Sequence, residues 1–443
     1  MRFLFLRRLP GPLIFDSAKI ALFCQISLFL SSFNFTFAYD ARYFIEKAFE
    51  NSLSLKSDSH MKDKAEFSYK SESYFLNSLQ LETGYNNAPL SSWPSLSSHA
   101  MSNISVGISQ NIAMPWESEL RSSASFENYL SETEKYNHQK NILAFNVVNL
   151  YEETLFIQTK KKILKENASA LGKILKTARS LTAVNKMASS QLFKIEADIA
   201  FLETQILQLD AELEKKRFNL RALCNYDFDW NKIEASSLEW MNKSEKTVLS
   251  EDFSAENTSF VKFYQKLYES QKIKESLSYA SLLPSVKIGI KYTIRQEIPE
   301  KDTGEDFISI QASMPLPLHY AYKDRHKISE SGAIAKSYYE KWQDAKQNLL
   351  LGWQGERKKA VKLKEAYEKN EIIVLPKYLA SYKAQVAALS AGNLTLIDVL
   401  DSYRKYLDAS LEQAKLYLVL RKSIALLDFY REAYVKKETN KEK

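Results

Sequence analysis

The sequence predicts a mainly α-helical fold with a small β part, arranged as a twofold internal repeat of strand, strand, long helix and long helix. The segment from Asn185 to Lys194 resembles that from Gly392 to Asp401, an offset of 207 residues (392 less 185), and Ser78 to Tyr85 returns at that offset as Ser285 to Tyr292. A duplicated unit of that length is an architecture rather than a motif. Only ten glycines and ten prolines punctuate the 443 residues, so the elements between turns must be long.

The first residues read as a leader. Arg2, Arg7, Arg8 and Lys19 precede the apolar run Ile20 to Leu30, and Thr36-Phe-Ala38 precedes Tyr39. That is the basic, apolar, small-residue order of a cleaved secretory signal over residues 1–38, with cleavage after Ala38. The apolar run is shorter than the ~20 residues of a spanning helix. Cys24 follows Leu22-Phe23 instead of the small residues that precede a lipidated cysteine. The mature chain would keep Cys224 alone, which allows no internal disulfide, so its stability must come from packing.

The first repeat is placed at 39–224, with strands at 78–86 and 103–113 and a helical hairpin at 117–224. Leu79, Leu81 and Tyr85 alternate with Gln80, Glu82 and Gly84, and Ile104, Val106 and Ile108 with Ser105, Gly107 and Ser109. From Glu117 to about Ser180 there is no proline and one glycine, Gly172, which predicts a helix of roughly 60 residues and ~90 Å. The returning helix carries Ile195, Ile199, Leu202, Ile206, Leu209, Leu213, Lys216, Leu220 and Leu223. Their steps of four and three make a heptad seam broken only by Lys216. Residues 225–257, with Trp230 and Trp240, read as a linker and belt around the helices.

The second repeat is placed at 258–430, with strands at 285–296 and 306–316 and a hairpin at 318–430, followed by a charged tail at 431–443. Val286, Ile288, Ile290 and Tyr292 alternate with Lys287, Gly289 and Lys291, and Ile308 and Ile310 with Ser309 and Gln311. Pro376 is expected to kink or break the outgoing helix. A soluble antiparallel sheet shows the same alternation. Lysines on the inner face, strand lengths near the ~9–11 residues that cross a bilayer and the secretory leader favour an outer-membrane barrel. Four strands are too few to close one, so closure demands several copies of the chain.

Lys and Arg (61) exceed Asp and Glu (54), but the signs are interspersed, as from Lys358 to Lys369, and no basic block carries interleaved aromatics. Nucleic acid is therefore not an expected partner. The five histidines, His60, His99, His138, His319 and His326, form no pair at zinc spacing, and no phosphate loop or nucleophile elbow is present. No catalytic residue, cofactor or resident metal is expected. A coiled-coil scaffold protein of the periplasm would explain the helices, but not the leader or the strand pairs.

Two strand pairs, two long hairpins, tips running into Asp398-Val-Leu-Asp401 and the Leu282-Leu-Pro-Ser-Val286 approach to a strand together resemble the TolC-like outer membrane factor family. Val374-Leu-Pro-Lys377, Ala391-Gly392, Leu400-Asp401, Ile108-Ser-Gln110, Met114-Pro-Trp116 and Arg121 are most similar to its heavy-metal efflux branch. The first tip departs from the pattern, with Asn185 where glycine is usual.

The resemblance implies a homotrimer in the cell outer membrane. Three chains of four strands would make a twelve-stranded barrel continued by a periplasmic α-helical barrel. It would be the passive exit duct of a tripartite efflux system, with a periplasmic adaptor (membrane fusion) protein and an inner-membrane pump of the resistance-nodulation-division type as partners. Heavy-metal cations are the implied cargo, with drugs or secreted proteins as alternatives.

Asp398 and Asp401 stand three positions apart on one helical face, where they read either as solvated acids near a helix N-terminus or as a gate. The resemblance favours a gate: six converging carboxylates would admit cations and hinder anions, and their mutual repulsion would raise some of their pKa values. The first hairpin has Gln191 and Lys194 at those positions. The resemblance also makes the tips, Asn185, Lys186, Met187 and Ala188 together with Gly392, Asn393, Leu394 and Thr395, the adaptor contacts. The leader leads to one direct expectation: mass spectrometry of protein recovered from the cell envelope should find Tyr39 as the first residue, whereas an intact chain beginning at Met1 would contradict the cleavage site.

Overall fold

A chain with so few helix breakers has few places to turn, and its helices are accordingly long. The computed structural model describes residues 40–74, 79–87, 90, 96, 99, 101–112, 114–184, 188–230, 253–282, 285–297, 303–314, 316, 320–391 and 395–435. In chain order these form α1 (Ala41–Asn51), α2 (Leu53–Glu72), β1 (Gln80–Asn86), β2 (Asn103–Ile112), α3 (Pro115–Ala183), α4 (Ser189–Cys224), α5 (Ser259–Ala280), β3 (Val286–Arg295), β4 (Phe307–Ser313), α6 (Arg325–Lys369), α7 (Leu375–Ser390) and α8 (Leu396–Tyr430). The leader with Ala38, and most of the 225–257 belt, lie outside the described residues.

The 69 residues of α3 rise about 100 Å. Pro115 sits at its start, where a missing N–H costs nothing, and Gly172 faces open space. The seam of α4 buries Ile195, Leu202, Leu209 and Leu213 against Ile157, Leu164, Leu171 and Ile174 of α3. Each such side chain contributes about 1.5–3 kcal/mol. Lys216, the polar break in that seam, places its Nζ 2.6 Å from Glu153 of α3, and Lys422 of α8 meets the same carboxylate from the other side. The break is a tie between three helices.

The helices α1, α2 and α5 are additions to the sequence reading, which put nothing between the leader and the first strand. Asp40 caps α1 by accepting the Tyr43 N–H at 3.0 Å. Phe44, Ile45 and Ala48 then pack on Val147, Val148 and Tyr151 of α3 and on Leu220 and Cys224 of α4. Burial there pushes the Cys224 thiol up to about 12, so it stays protonated. Helix α5 lies antiparallel against α3, where small residues let the backbones close: Ser270 donates to the Ala124 carbonyl at 2.7 Å and Ser131 to that of Phe263 at 3.3 Å. In this region His138 is wedged between Phe260 and Phe429, and burial lowers its pKa to about 4, leaving the ring neutral.

At Pro376, expected to kink or break the helix, the regular α-helix is interrupted by five residues of π-helix, Asn370–Val374, and the wider turn absorbs the ring and the missing N–H. The side chain of Asn370 donates to Gln413 Oε1 of α8 at 2.7 Å, holding the turn in place. Helix α8 ends at Tyr430, and the residues after it pack back on the helices. Glu432 adopts a left-handed backbone (φ 55°) that brings its carboxylate onto the Ser259 N–H (2.6 Å) and hydroxyl (3.1 Å), capping α5. Tyr434 is half-buried and donates to the Ala425 carbonyl at 3.1 Å.

The four strands form one antiparallel sheet in the order β1-β2-β3-β4, with β2 and β3 joining the two halves of the chain from Asn103↔Arg295 to Ile112↔Val286. Its polarity is reversed from that of a soluble sheet. Ser105 and Ser109 are buried at 1% and 3% exposure, while Ile108, Ile290 and Ile310 of the other face are exposed at 47%, 51% and 77%. At Gly107 an added Cβ would lie 2.7 Å from the Ile290 carbonyl oxygen, so a side chain there would push on β3.

Inside the helical layer, Arg421 of α8 donates to Glu152 of α3 at 3.3 Å with both side chains 3% exposed. Burial raises the Glu152 pKa while Arg421 pulls it back. Arg421→Met should cost about 3–5 kcal/mol by leaving a buried carboxyl without its partner. The double variant with Glu152→Leu should recover most of that, as read from thermal unfolding of the purified protein.

Candidate gate and tips

The second hairpin turns through residues 392–394, and α8 starts at Thr395, whose backbone is extended (φ −82°, ψ 151°). Its hydroxyl accepts the Asp398 N–H at 3.4 Å, and Thr395 Oγ1 also meets the Asp398 carboxylate. The hydroxyl thus caps the helix while donating to the Asp398 carboxylate, which gives Asp398 a structural task at the positive end of the helix. The first hairpin has no such device: Ala188 is the cap of α4 and has no side chain to offer. Asn185, Lys186 and Met187 of the first tip, and Gly392, Asn393 and Leu394 of the second, lie outside the described residues.

Three-residue spacing sorts the start of α8 into two faces. Leu396, Val399, Leu400 and Tyr403 are buried against α3, α4 and α7, while Asp398 and Asp401 are exposed together on the other side. Asp401 pairs with Lys405 one turn on, at 2.8 Å, and that bond raises the Lys405 pKa. Within one protomer, then, one carboxylate of the acidic pair is engaged by a cap and the other is partly neutralised.

Two features at this end escape a reading by sequence. Arg404 of α8 reaches both carboxylate oxygens of Asp198 on α4 at 3.1 Å, fastening the two hairpins to each other. The signal is faint: Arg404 and Asp198 each lie twelve or thirteen residues beyond their own tip, at Gly392 and Asn185, on helices returning in the same direction. Behind this pair Tyr382 stacks on Tyr406 at 5.9 Å and 4°, with Tyr403 tilted against it. Burial, then Tyr382 and Asp198, hold the Tyr403 phenol well above its usual pKa. Among the described residues no group of three or more His, Cys, Asp or Glu is placed to hold a metal ion, and no helix is long and apolar enough to cross a membrane.

The arrangement of sheet, helical layer and tips has solved counterparts. The outer membrane protein VceC from Vibrio cholerae superimposes with a TM-score of 0.72 at 13% identity, over 89% of this chain and 95% of that one. CusC, solved in a study of folding and transmembrane channel formation, gives 0.70 at 13% identity over 89% and 93%. The open state of the Neisseria gonorrhoeae outer membrane channel MtrE gives 0.65 at 15% identity over 89% and 88%. The fold is that of these outer-membrane proteins. No protein-family model and no curated protein matches the chain by sequence. VceC and CusC fit about equally well, so the fold does not separate one branch from another.

The Arg404–Asp198 bond is open to direct measurement. A double-mutant cycle with Asp198→Ala and Arg404→Ala should give a coupling of up to ~1 kcal/mol that shrinks with added salt, because both groups are partly solvated. A coupling indistinguishable from zero in dilute buffer would mean that the hairpins are not fastened there.

Proposed function

We propose that this chain is one protomer of a homotrimeric duct in the outer membrane, the exit of a tripartite efflux system. The carrying observation is the sheet, whose apolar face is exposed and whose polar face is buried along β2 and half-buried on β3. Lipid against the aliphatic side and water against the serines and lysines resolves that reversal. Its outer strands β1 and β4 each leave one edge open in the protomer, and bare edges are not tolerated in hydrocarbon. Three copies joined β4 to β1 would give twelve strands and no edge.

The helices support the same closure. On the side of α4 away from its leucine seam, Phe193, Ala197, Ala200, Thr204, Leu207, Ala211 and Phe218 are all exposed, mostly at steps of three and four, a second seam with nothing packed on it in one protomer. At the other edge of the layer α7 exposes Ala380, Ala384, Ala387 and Ala391. Large side chains on one edge and small ones on the other suit a helix of one copy packing on a helix of the next, as knobs into holes. The twofold repeat would then be two similar hairpins per copy and six around a tube.

In such a trimer the tips at 185–188 and 392–395 would converge at the periplasmic end and meet an adaptor protein. That adaptor and an inner-membrane pump, of the resistance-nodulation-division type in the heavy-metal branch, would supply the energy. Asp398 and Asp401 would form the constriction, with Arg404–Asp198 among the contacts that yield when it opens. Heavy-metal cations as cargo find their support at this acidic end. The duct itself performs no catalysis in this reading.

Purified protein should conduct ions in a planar bilayer, and Asp398→Asn with Asp401→Asn should raise the conductance several-fold and weaken block by divalent cations. A protein that inserts and assembles but passes no current would favour the scaffold reading. Unchanged conductance in the double variant would remove these two residues from the gate.

A further inference from the structure

The polar face of the sheet carries its own charge pattern, and it opposes that of the tips. Across it Glu82 of β1 bonds Lys287 of β3 at 2.6 Å and accepts the Ser109 hydroxyl at 2.7 Å. At the strand ends Arg295 lies over the Phe307 ring, and its backbone N–H donates to Asp306. Lys291 stands between these two groups.

Its register partners are Gly107 on β2 and Ser309 on β4, and its neighbours along the face are Gly289 and Thr293. All four are small and uncharged. Glu82, opposite Gly107, is the nearest acid in the register and is already held by Lys287. Lys291 also acts on that carboxylate, so one acid serves two ammonium groups and the row carries an excess of positive charge.

We propose that Lys291 forms the charge filter of the outer section, which attracts anions where the tip attracts cations. The inference rests on the trimeric duct: three copies place three such ammonium groups around one ring, and a ring of lysines attracts anions and repels cations. Screening sets the reach, with a Debye length of ~8 Å at physiological salt and ~30 Å at 0.01 M. In dilute salt the ring acts across a wide passage. The acids at the tip oppose it less than their number suggests, since Asp398 is engaged in a cap and Asp401 is paired with Lys405.

The test separates the two ends by neutralising the tip with Asp398→Asn and Asp401→Asn, then measuring the reversal potential across a potassium chloride gradient in dilute salt. The expected sign reports chloride preference, Lys291→Gln should bring it towards zero, and Lys291→Glu should reverse it. A cation-selective or non-selective tip-neutral channel overturns the proposal. So does an open channel whose reversal potential ignores both substitutions. If Lys291→Glu does not assemble in the membrane, Lys291→Gln, which keeps the length and polarity of the side chain, decides. Absence of current in the unmodified protein and in every variant counts against the duct itself, and so takes this inference with it.

Discussion

The reversed polarity of a four-stranded sheet is the constraint on which the rest depends. A sheet in water hides its aliphatic face and wets its polar one, whereas here Ser105 and Ser109 are covered and Ile108, Ile290 and Ile310 are bare. Two unpaired edges compound the problem, because each exposes a row of backbone donors and acceptors. Neither defect is mended within the single chain described here. The proposed self-association in lipid would remove both at once.

The helical layer solves a different problem, how to stay straight and registered over about 100 Å. Leucine seams supply the adhesion, but a repeating apolar stripe can slip by a heptad. Polar ties resist that slip: Lys216 and Lys422 share Glu153, Arg421 meets Glu152, and Asn370 reaches Gln413. A shift of one turn would leave each of those groups desolvated and unmatched. Capping by Glu432, from the end of the chain, fixes the start of α5 in the same way.

The two ends of the molecule are electrostatically distinct. The tip carries carboxylates that are largely engaged in its own local structure, while the polar side of the sheet carries two lysines that share one glutamate. Counting acids along the sequence would rank the tip as the stronger field. Partners change that ranking, since a capped or paired charge contributes less at a distance than one in excess of its partners.

The one-dimensional pattern by itself determined the element types. Period-two alternation marked the strands, the four-three spacing marked the seam of α4, and the lack of proline and glycine marked the length of α3, because each is a local rule read over a few turns. Only the tertiary structure decided the rest. Helices α1, α2 and α5 have faces matched to distant parts of the chain, Phe44 on Tyr151, Tyr69 on Phe126 and Ser270 on Ala124, so no short window reveals what they cover. The tolerance of Pro376 rests on a π turn held by Gln413, and the roles of Lys216, Arg404 and Lys291 depend on which groups lie opposite them. Charge and polarity act through space, and chain position alone does not specify the distances that decide them.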